Sequence, residues 1–555
     1  MKENLKREFL DLRKFDNPIN PVDLIKTITE NPNVENDPFY IVDLEDICNK
    51  HINWITKLPR VEPHYAIKCN TDLMLLKLLA FLGAGFDCAS KNEIQTVLDL
   101  GVSPHRIIFA NPCKQNSNIK YAYKMGVDQM TFDNEAELYK IKEHHPNAKI
   151  VLRIITNDTD AVCRFSMKFG ADMETSLSLI DKAMKLGLDL VGISFHVGSG
   201  QMSPKTFTES IENARKLFDY AWEKHECRMY LLDLGGGYPG SSDMMDLFDS
   251  VSQEINNSLD KHFPADFFNE SNGYNDERKF RVIAEPGRYY AASAFTLCVN
   301  VIAKRAMNQS AMQQKQDKEA LLLKDNNQCQ NHELIDTSKS IMYYINDGVY
   351  ASFNCLFYDH AECLPELIKD HSEEPTLYKS SIWGPTCDGL DLVVKECHLP
   401  QLNVGEFMVF KNMGAYTISG AVAFNGIPLA RCIYVASVSW DTIKDAFTDQ
   451  LEEQSNYFIN MKETTSSCAA AANLSFSRTI SQLAQSYQQQ QQMDHHHQQQ
   501  QNEILVVDDC FISSDDAESC NLDVIDINEK LNDESVIQAA ATTGLDQSVD
   551  CAITC

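Results

Sequence analysis

Residues 231–240 read LLDLGGGYPG, and the fold turns on how this run is taken. Gly235, Gly237 and Gly240 satisfy the G-x-G-x-x-G spacing. A strand-like run precedes them and a helix-like run follows, so an open dinucleotide-binding sheet has to be weighed. Two features oppose it. Pro239 stands inside the turn, and residues 244–263, MMDLFDSVSQEINNSLDKHF, form one long helical pattern. No second strand follows with a ribose-binding acid about twenty residues on. A glycine loop whose backbone N–H groups hold a single phosphate fits better. A glycine-rich packing turn is the plainer alternative.

Working outward, seven more runs of the same kind can be found. The full set is HYAIK (64–68), GFDCA (85–89), RIIFA (106–110), DQMTF (128–132), KIVLRII (149–155), LVGISFH (190–196), MYLLDL (229–234) and FRVIAE (280–285). Amphipathic stretches of helix length separate them, such as DLMLLKLLAFL (72–82). Eight strands each followed by a helical spacer predict a TIM-type (β/α)8 barrel rather than an open sheet. The eighth unit is the weakest, because strand signals rather than a helix follow Arg288. From about residue 292 the runs AFTLCVNVIA, SIMYYINDGVY, FMVFKNM and RCIYVASV are β-rich and broken by Gly, Asn and Pro, which predicts a separate antiparallel β domain.

The expected organisation is therefore an N-terminal segment 1–40 that joins the β domain, a barrel over 41–290, the β domain over 291–445 and a tail over 446–555. Within the β domain, 305–338 is rich in Gln, Asn and Lys and reads as a long surface loop. The tail holds QQQQQMDHHHQQQQ (488–501), a low-complexity tract that builds no core. The tail is expected to be disordered and dispensable for catalysis, and His495–His497 are read as compositional rather than metal-binding.

Net charge is -30, and residues 502–555 carry 13 acidic residues against one basic residue, Lys530. Neither the tail nor the rest offers the basic surface that nucleic acid requires. No run of eighteen apolar residues occurs, so no membrane span is expected. The start, MKENLKREFLDLRKF, lacks the apolar centre of a signal peptide. The 18 cysteines include no Cys-x-x-Cys pair, which predicts thiols in a reducing, cytoplasmic setting and no metal site.

In such a barrel, reactive groups stand at the C-terminal ends of the strands. Lys68 ends the first strand candidate, Asp87 the second and Arg153 the fifth; His196 ends the sixth, Gly235–Gly237 the seventh and Glu285 the eighth. Ser199 and Arg288 are candidates for further phosphate contacts. A rim lysine, a phosphate cradle, a histidine and a carboxylate together suggest pyridoxal phosphate (PLP). The lysine would form a Schiff base, which removes its fixed charge. Burial and nearby cations are expected to lower the lysine's pKa. A lysine snorkelling from a strand end is the plain alternative.

The stretches YAIKCN (65–70), FDCAS (86–90), LRI (152–154), AVCRFSMKFGA (161–171), SFHVGSG (194–200), LLDLGGGYPG (231–240), AEPGRYY (284–290), YYINDGVYASFNC (343–355), YDHA (358–361), WGPTCDGLD (383–391) and NMGAYT (412–417) occur in that order. On them the chain resembles the eukaryotic ornithine decarboxylases, PLP-dependent decarboxylases of the alanine-racemase-like fold. The resemblance runs from about residue 8 to 440.

The resemblance implies decarboxylation of L-ornithine to putrescine and carbon dioxide, the entry to polyamine synthesis. It implies that Lys68 carries PLP, with Asp87 and Arg153 beside it. It places His196 on the pyridine ring, Ser199, Gly237, Arg288 and Tyr416 on the phosphate, and Gly235, Gly236, Pro286 and Gly287 among the other cofactor-binding residues. Glu285 would face the pyridine nitrogen. Racemases of this fold place an arginine there, which weakens the electron sink, so Glu285 favours decarboxylation. Tyr358, Asp359 and Asp388 would contact the substrate, and Cys387 would protonate the carbanion. Cys387 and Asp388 would come from the partner in a homodimer with shared sites. An antizyme-like regulator would bind near residues 116–140, which carry Lys120 and Lys124. The alternatives are a lysine, arginine or diaminopimelate decarboxylase, and a catalytically dead antizyme-inhibitor-like relative.

Overall fold

A computed structural model of the chain describes residues 13–14, 20–31, 36–265, 267, 279–308, 310, 335–369 and 375–436. The tail beyond 445 and most of the 305–338 segment lie outside the described residues.

Eight parallel strands close into a barrel: Val61–Ala66, Gly85–Cys88, Ile107–Phe109, Gln129–Phe132, Lys149–Arg153, Asp189–Ser194, Leu231–Asp233 and Arg281–Ala284. The last pairs with the first through Val282 and Val61, and the sixth pairs with the seventh through Gly192 and Leu231. All eight expected strands are present. Ile108, Val151, Val191, Leu231 and Ile283 pack together inside as one buried apolar cluster. Side chains alternate along a strand. The residues two positions beyond Val151, Leu231 and Ile283 are Arg153, Asp233 and Glu285, which therefore share the inner side at the C-terminal rim.

Seven strands lead into helices: Leu73–Phe81, Lys91–Asp99, Asn116–Met125, Glu135–His144, Met173–Leu186, Lys205–His225 and Met245–His262. Their starts carry side-chain caps where the sequence supplies them. Asp72 Oδ1 accepts from the Met74 and Leu75 N–H groups, and Ser90 Oγ accepts from Glu93 N–H. The eighth strand leads into a single turn, Arg288–Ala291, and then into the sheet. Helix Leu44–Lys57 packs against that turn, against Met245–His262 and against the first strand. Its Trp54 is fully buried, donates from Nε1 to the Val61 carbonyl at 2.9 Å and lies edge-on to Tyr238 and Tyr289. Trp54→Ala is expected to lower stability by about 3–5 kcal/mol, the range for removing a large buried aromatic, with barrel closure its weak point. Chemical denaturation with unchanged substrate KM in the surviving fraction checks this.

Of the remaining described strands, two form a separate ribbon, Ala161–Cys163 with Ser199–Gln201, and the other nine form one sheet. It is mixed, not antiparallel as expected. Arg431–Ala436 runs parallel to Phe39–Asp43, and Ile335–Ile345 runs parallel to Leu377–Trp383. The reason is connectivity. Strand Phe39–Asp43 enters before the barrel and Arg431–Ala436 only after it, so the two need no hairpin between them. Phe39–Asp43 belongs to this sheet, so the expected barrel start at residue 41 falls inside a sheet strand. Strands Phe295–Asn308 and Ile335–Ile345 stay paired out to Asn308 and Lys339. The ends of the expected 305–338 loop are thus strand.

Candidate active site

The first strand ends at Ala66, and Lys68 sits in the following 3₁₀ turn, Ile67–Cys69, rather than on the strand itself. That turn is held from the sheet domain. The Cys69 carbonyl accepts from Tyr416 N–H at 2.8 Å, and Asn70 Nδ2 donates to the Gly414 carbonyl at 2.8 Å. Lys68 Nζ donates to Asp87 Oδ2 at 2.6 Å. Burial pulls the Lys68 pKa down, but Asp87 and Glu285 outweigh it and the net direction is up. This corrects the expectation of a lowered pKa. The groups nearest the amine are carboxylates, not cations, and opposite charge favours the ammonium.

His196 lies two residues past the sixth strand. Its Nδ1 accepts from Gly198 N–H at 3.1 Å, so Nε2 carries the ring proton. Burial, with Arg153 and Lys68 nearby, pushes its pKa well below the usual range and keeps the imidazole neutral. Phe165 meets its ring edge-on with centroids 4.8 Å apart.

The turn after the seventh strand needs its glycines. Gly235 has φ +61, and a Cβ there would sit 2.1 Å from the Phe195 carbonyl oxygen. Gly237 has φ +112, and a Cβ would lie 2.6 Å from the Gly198 carbonyl oxygen. Gly236 lies between His196 and the Glu285 backbone, and Gly287 lies against Cys69. Pro286 accepts from Ala66 N–H through its carbonyl.

Arg288 donates from Nη2 to Ser199 Oγ at 2.9 Å and to Asp359 Oδ1 at 2.5 Å. Its guanidinium lies 5.3 Å from the Tyr416 ring centre. Ser199 is brought there by a two-stranded ribbon, Ser199–Gln201 with Ala161–Cys163. Tyr416 adopts φ +56, a conformation costing a non-glycine residue about 1–3 kcal/mol, which marks a backbone held for a purpose. Arg288 Nε is buried with no acceptor among the described residues.

Glu285 is buried, and its carboxyl pKa is raised by burial, by Asp233 and by Asp87, against the pull of Lys68 and Arg153. Asp359 is also raised, first by burial, although Arg288 opposes that.

Lys68, Asp87, Arg153, His196, Ser199, Gly235–Gly237, Glu285, Pro286, Gly287, Arg288, Asp359 and Tyr416 thus meet at one rim. Three expected residues do not join them within the chain. Cys387 is exposed, and its N–H donates to Asn425 Oδ1 at 3.3 Å. Asp388 accepts from the Tyr350 hydroxyl and from Leu390 N–H. Tyr358 is 75% exposed although it adjoins Asp359. The reading from sequence missed Asp233 and Tyr350. Asp233 was open to the same rule that selected Asp87, being a charged residue at a barrel-strand end. Tyr350 carries no local signal, because it is tied to Asp388 only by the folding of the sheet domain, where it stacks on Phe424.

The donor set fits pyridoxal phosphate. An unpaired buried guanidinium N–H and a turn of close-packed glycines offer an anion cradle. A lysine stands beside it, and a buried carboxyl faces the same space.

Comparison with known proteins agrees. Residues 44–292 match the family described as pyridoxal-dependent decarboxylase, pyridoxal binding domain. The chain is 48% identical over 425 residues to an ornithine decarboxylase of Rattus norvegicus, covering 76% of this chain and 86% of that protein. It is 46% identical to antizyme inhibitor 2 of Xenopus laevis, covering 76% and 87%. Among solved structures, a Paramecium bursaria Chlorella virus arginine decarboxylase bound to agmatine superposes with TM-score 0.63 at 31% identity, over 74% of this chain and all of that one.

Proposed function

Because this chain belongs to the pyridoxal-dependent decarboxylase family that includes the ornithine decarboxylases, we propose that it converts L-ornithine to putrescine and carbon dioxide. The observation that carries the reading is the rim itself, where Lys68 stands among Asp87, Glu285, neutral His196 and the Arg288–Ser199–glycine cradle.

Bound pyridoxal phosphate supplies an electron sink for the pair left behind as carbon dioxide departs. Lys68 would hold the cofactor at its aldehyde carbon, with loss of water. Ser199, Arg288, Tyr416 and the N–H groups of the glycine turn hold its phosphate. His196 covers the ring face without adding charge, because its ring is neutral. Glu285 holds a proton at the ring nitrogen. Asp359 and Asp388 orient the substrate's cationic distal amine, where desolvated charge needs a counter-charge. Cys387 delivers a proton to the carbon that lost its carboxylate.

The partner copy completes the site. Cys387 and Asp388 have their same-chain contacts with Asn425, Tyr350 and Leu390, not with the Lys68 group. Two-fold symmetry would carry their loop to the partner's rim. Twelve free thiols among the described cysteines suit a reducing compartment, which we take to be the cytoplasm. No described helix is long and apolar enough to cross a membrane.

The antizyme-inhibitor reading has a relative in its favour. Against it, the chain keeps every PLP-side residue of the proposed machinery. Release of carbon dioxide from L-ornithine, L-lysine and L-arginine by purified protein decides among these readings. A clear preference for ornithine supports ours; no release from any, with PLP present, overturns it.

A regulator of the antizyme kind would meet helices Asn116–Met125 and Glu135–His144, which expose Lys120, Tyr123, Lys124 and Tyr139. Lys120→Glu/Lys124→Glu is expected to weaken capture by such a protein at least tenfold in a pull-down. Unchanged capture would refute that surface.

A further inference from the structure

Asp233 closes the seventh barrel strand and is 1% exposed. Its Oδ1 accepts from Gly235 N–H at 2.9 Å. The same glycine's carbonyl accepts from Glu285 N–H at 2.7 Å. One residue thus ties the ends of the seventh and eighth strands together. Oδ2 of Asp233 is buried and has no donor among the described residues. The Asp233 and Glu285 carboxyls nevertheless lie within hydrogen-bonding reach of each other.

Two carboxylates cannot bond, since neither has a hydrogen to give; one proton between them resolves both the orphan oxygen and the repulsion. We propose that Asp233 is a positioning residue that holds this proton and donates it to Glu285, so that Glu285 meets the cofactor's ring nitrogen as an ionised, hydrogen-bonded carboxylate. The inference rests on the assignment of Glu285 to the ring nitrogen.

The charges around the pair are consistent with this. Asp87, Arg153 and Tyr238 face Asp233, and Lys68, Arg153 and Asp87 face Glu285. His196 nearby is neutral. With Asp233 ionised as well, three carboxylates would crowd Lys68 and Arg153. With Asp233 protonated, Asp87 and Glu285 balance the two cations. A hydrogen bond received from Asp233 also makes Glu285 a weaker base, so the proton stays on the ring nitrogen, where it strengthens the electron sink. Burial, countered in part by Gly235 N–H and by a hydrogen bond with Glu285, pushes the Asp233 carboxyl up to about 7, and burial with Asp233 and Asp87 beside it raises Glu285 as well, so the cofactor-free pair shares one proton and the protonated ring nitrogen leaves it on Asp233.

A carboxyl raised in the folded state stabilises fully below its unfolded pKa of about 4 and loses that contribution as pH rises through the folded value. Full-length protein freed of cofactor should therefore show a thermal midpoint that falls between about pH 4 and about pH 7. Asp233→Asn keeps an N–H donor for Glu285 and an acceptor for Gly235 but does not titrate, so its fall should be clearly shallower. In the holoenzyme, Asp233→Ala should lower kcat at least about tenfold with KM within about threefold, and Asn should recover most of the loss, as expected for a lost bond to a charged group. Equal pH slopes for wild type and Asp233→Asn overturn the shared proton, and they do so even if Asp233→Ala fails to fold. Wild-type turnover in Asp233→Ala overturns the positioning role. Glu285→Gln tests the underlying assignment separately: unchanged cofactor absorbance and turnover there would remove Glu285 from the ring nitrogen, whatever the Asp233 slopes show.

Discussion

Lys68→Ala should leave a folded protein with no covalently held cofactor and with turnover reduced at least about a thousandfold, as removal of a covalent catalyst does. Lys68 stands on a turn fixed from two sides, by the barrel strand before it and by Tyr416 and Asn70 after it. Its amine reaches the rim beside Asp87. Other buried lysines are committed elsewhere: Lys114 to Glu137 and the Thr131 carbonyl, Lys50 to Asp46 and the Gly240 carbonyl. None of these is tied to the Arg288 cradle. Borohydride reduction followed by peptide mass analysis provides the measurement, with thermal unfolding as the check on the fold. A variant that still traps cofactor on a lysine would show that another residue carries it.

Mixing inactive Lys68→Ala subunits with inactive Cys387→Ala subunits should restore activity. If subunits exchange freely, half the dimers become mixed. Each mixed dimer then has one site with both defects and one with neither, so about a quarter of all sites are intact. The structure gives this a concrete basis. Cys387 lies exposed on the Gly384–Asp391 loop, anchored by Asn425 and by Asp391, whose carboxylate accepts from the Thr386 N–H and hydroxyl. That anchoring sets the loop's shape without turning Cys387 to its own chain's Lys68 group. Recovery toward a quarter of wild-type activity supports sharing. Demonstrated exchange with no recovery would place each complete site within one subunit and remove Cys387 from the partner's rim.

What the sequence determined by itself follows from short-range rules. Side-chain alternation and strand length marked all eight barrel strands, because each is a local apolar run between turn signals. Pro239 and the uninterrupted helix after it ruled out the dinucleotide fold. Strand ends could be read as a rim because a parallel barrel sends all its C-terminal ends to one face. Motif matching added residues of the sheet domain, Asp359 and Tyr416, which no periodicity singles out.

Other features depend on contacts between residues far apart in the chain, and only the tertiary structure decided them. The sheet is mixed because Phe39–Asp43 and Arg431–Ala436 lie side by side while nearly four hundred residues apart. Lys68 has a raised rather than a lowered pKa because Asp87 and Glu285, from the ends of two other strands, reach it. Asp233 acquires its role only where strand closure brings it against Glu285, 52 positions later. A carboxylate's protonation is set by the charges and dipoles that surround it in space, and its neighbours in sequence are a small share of those.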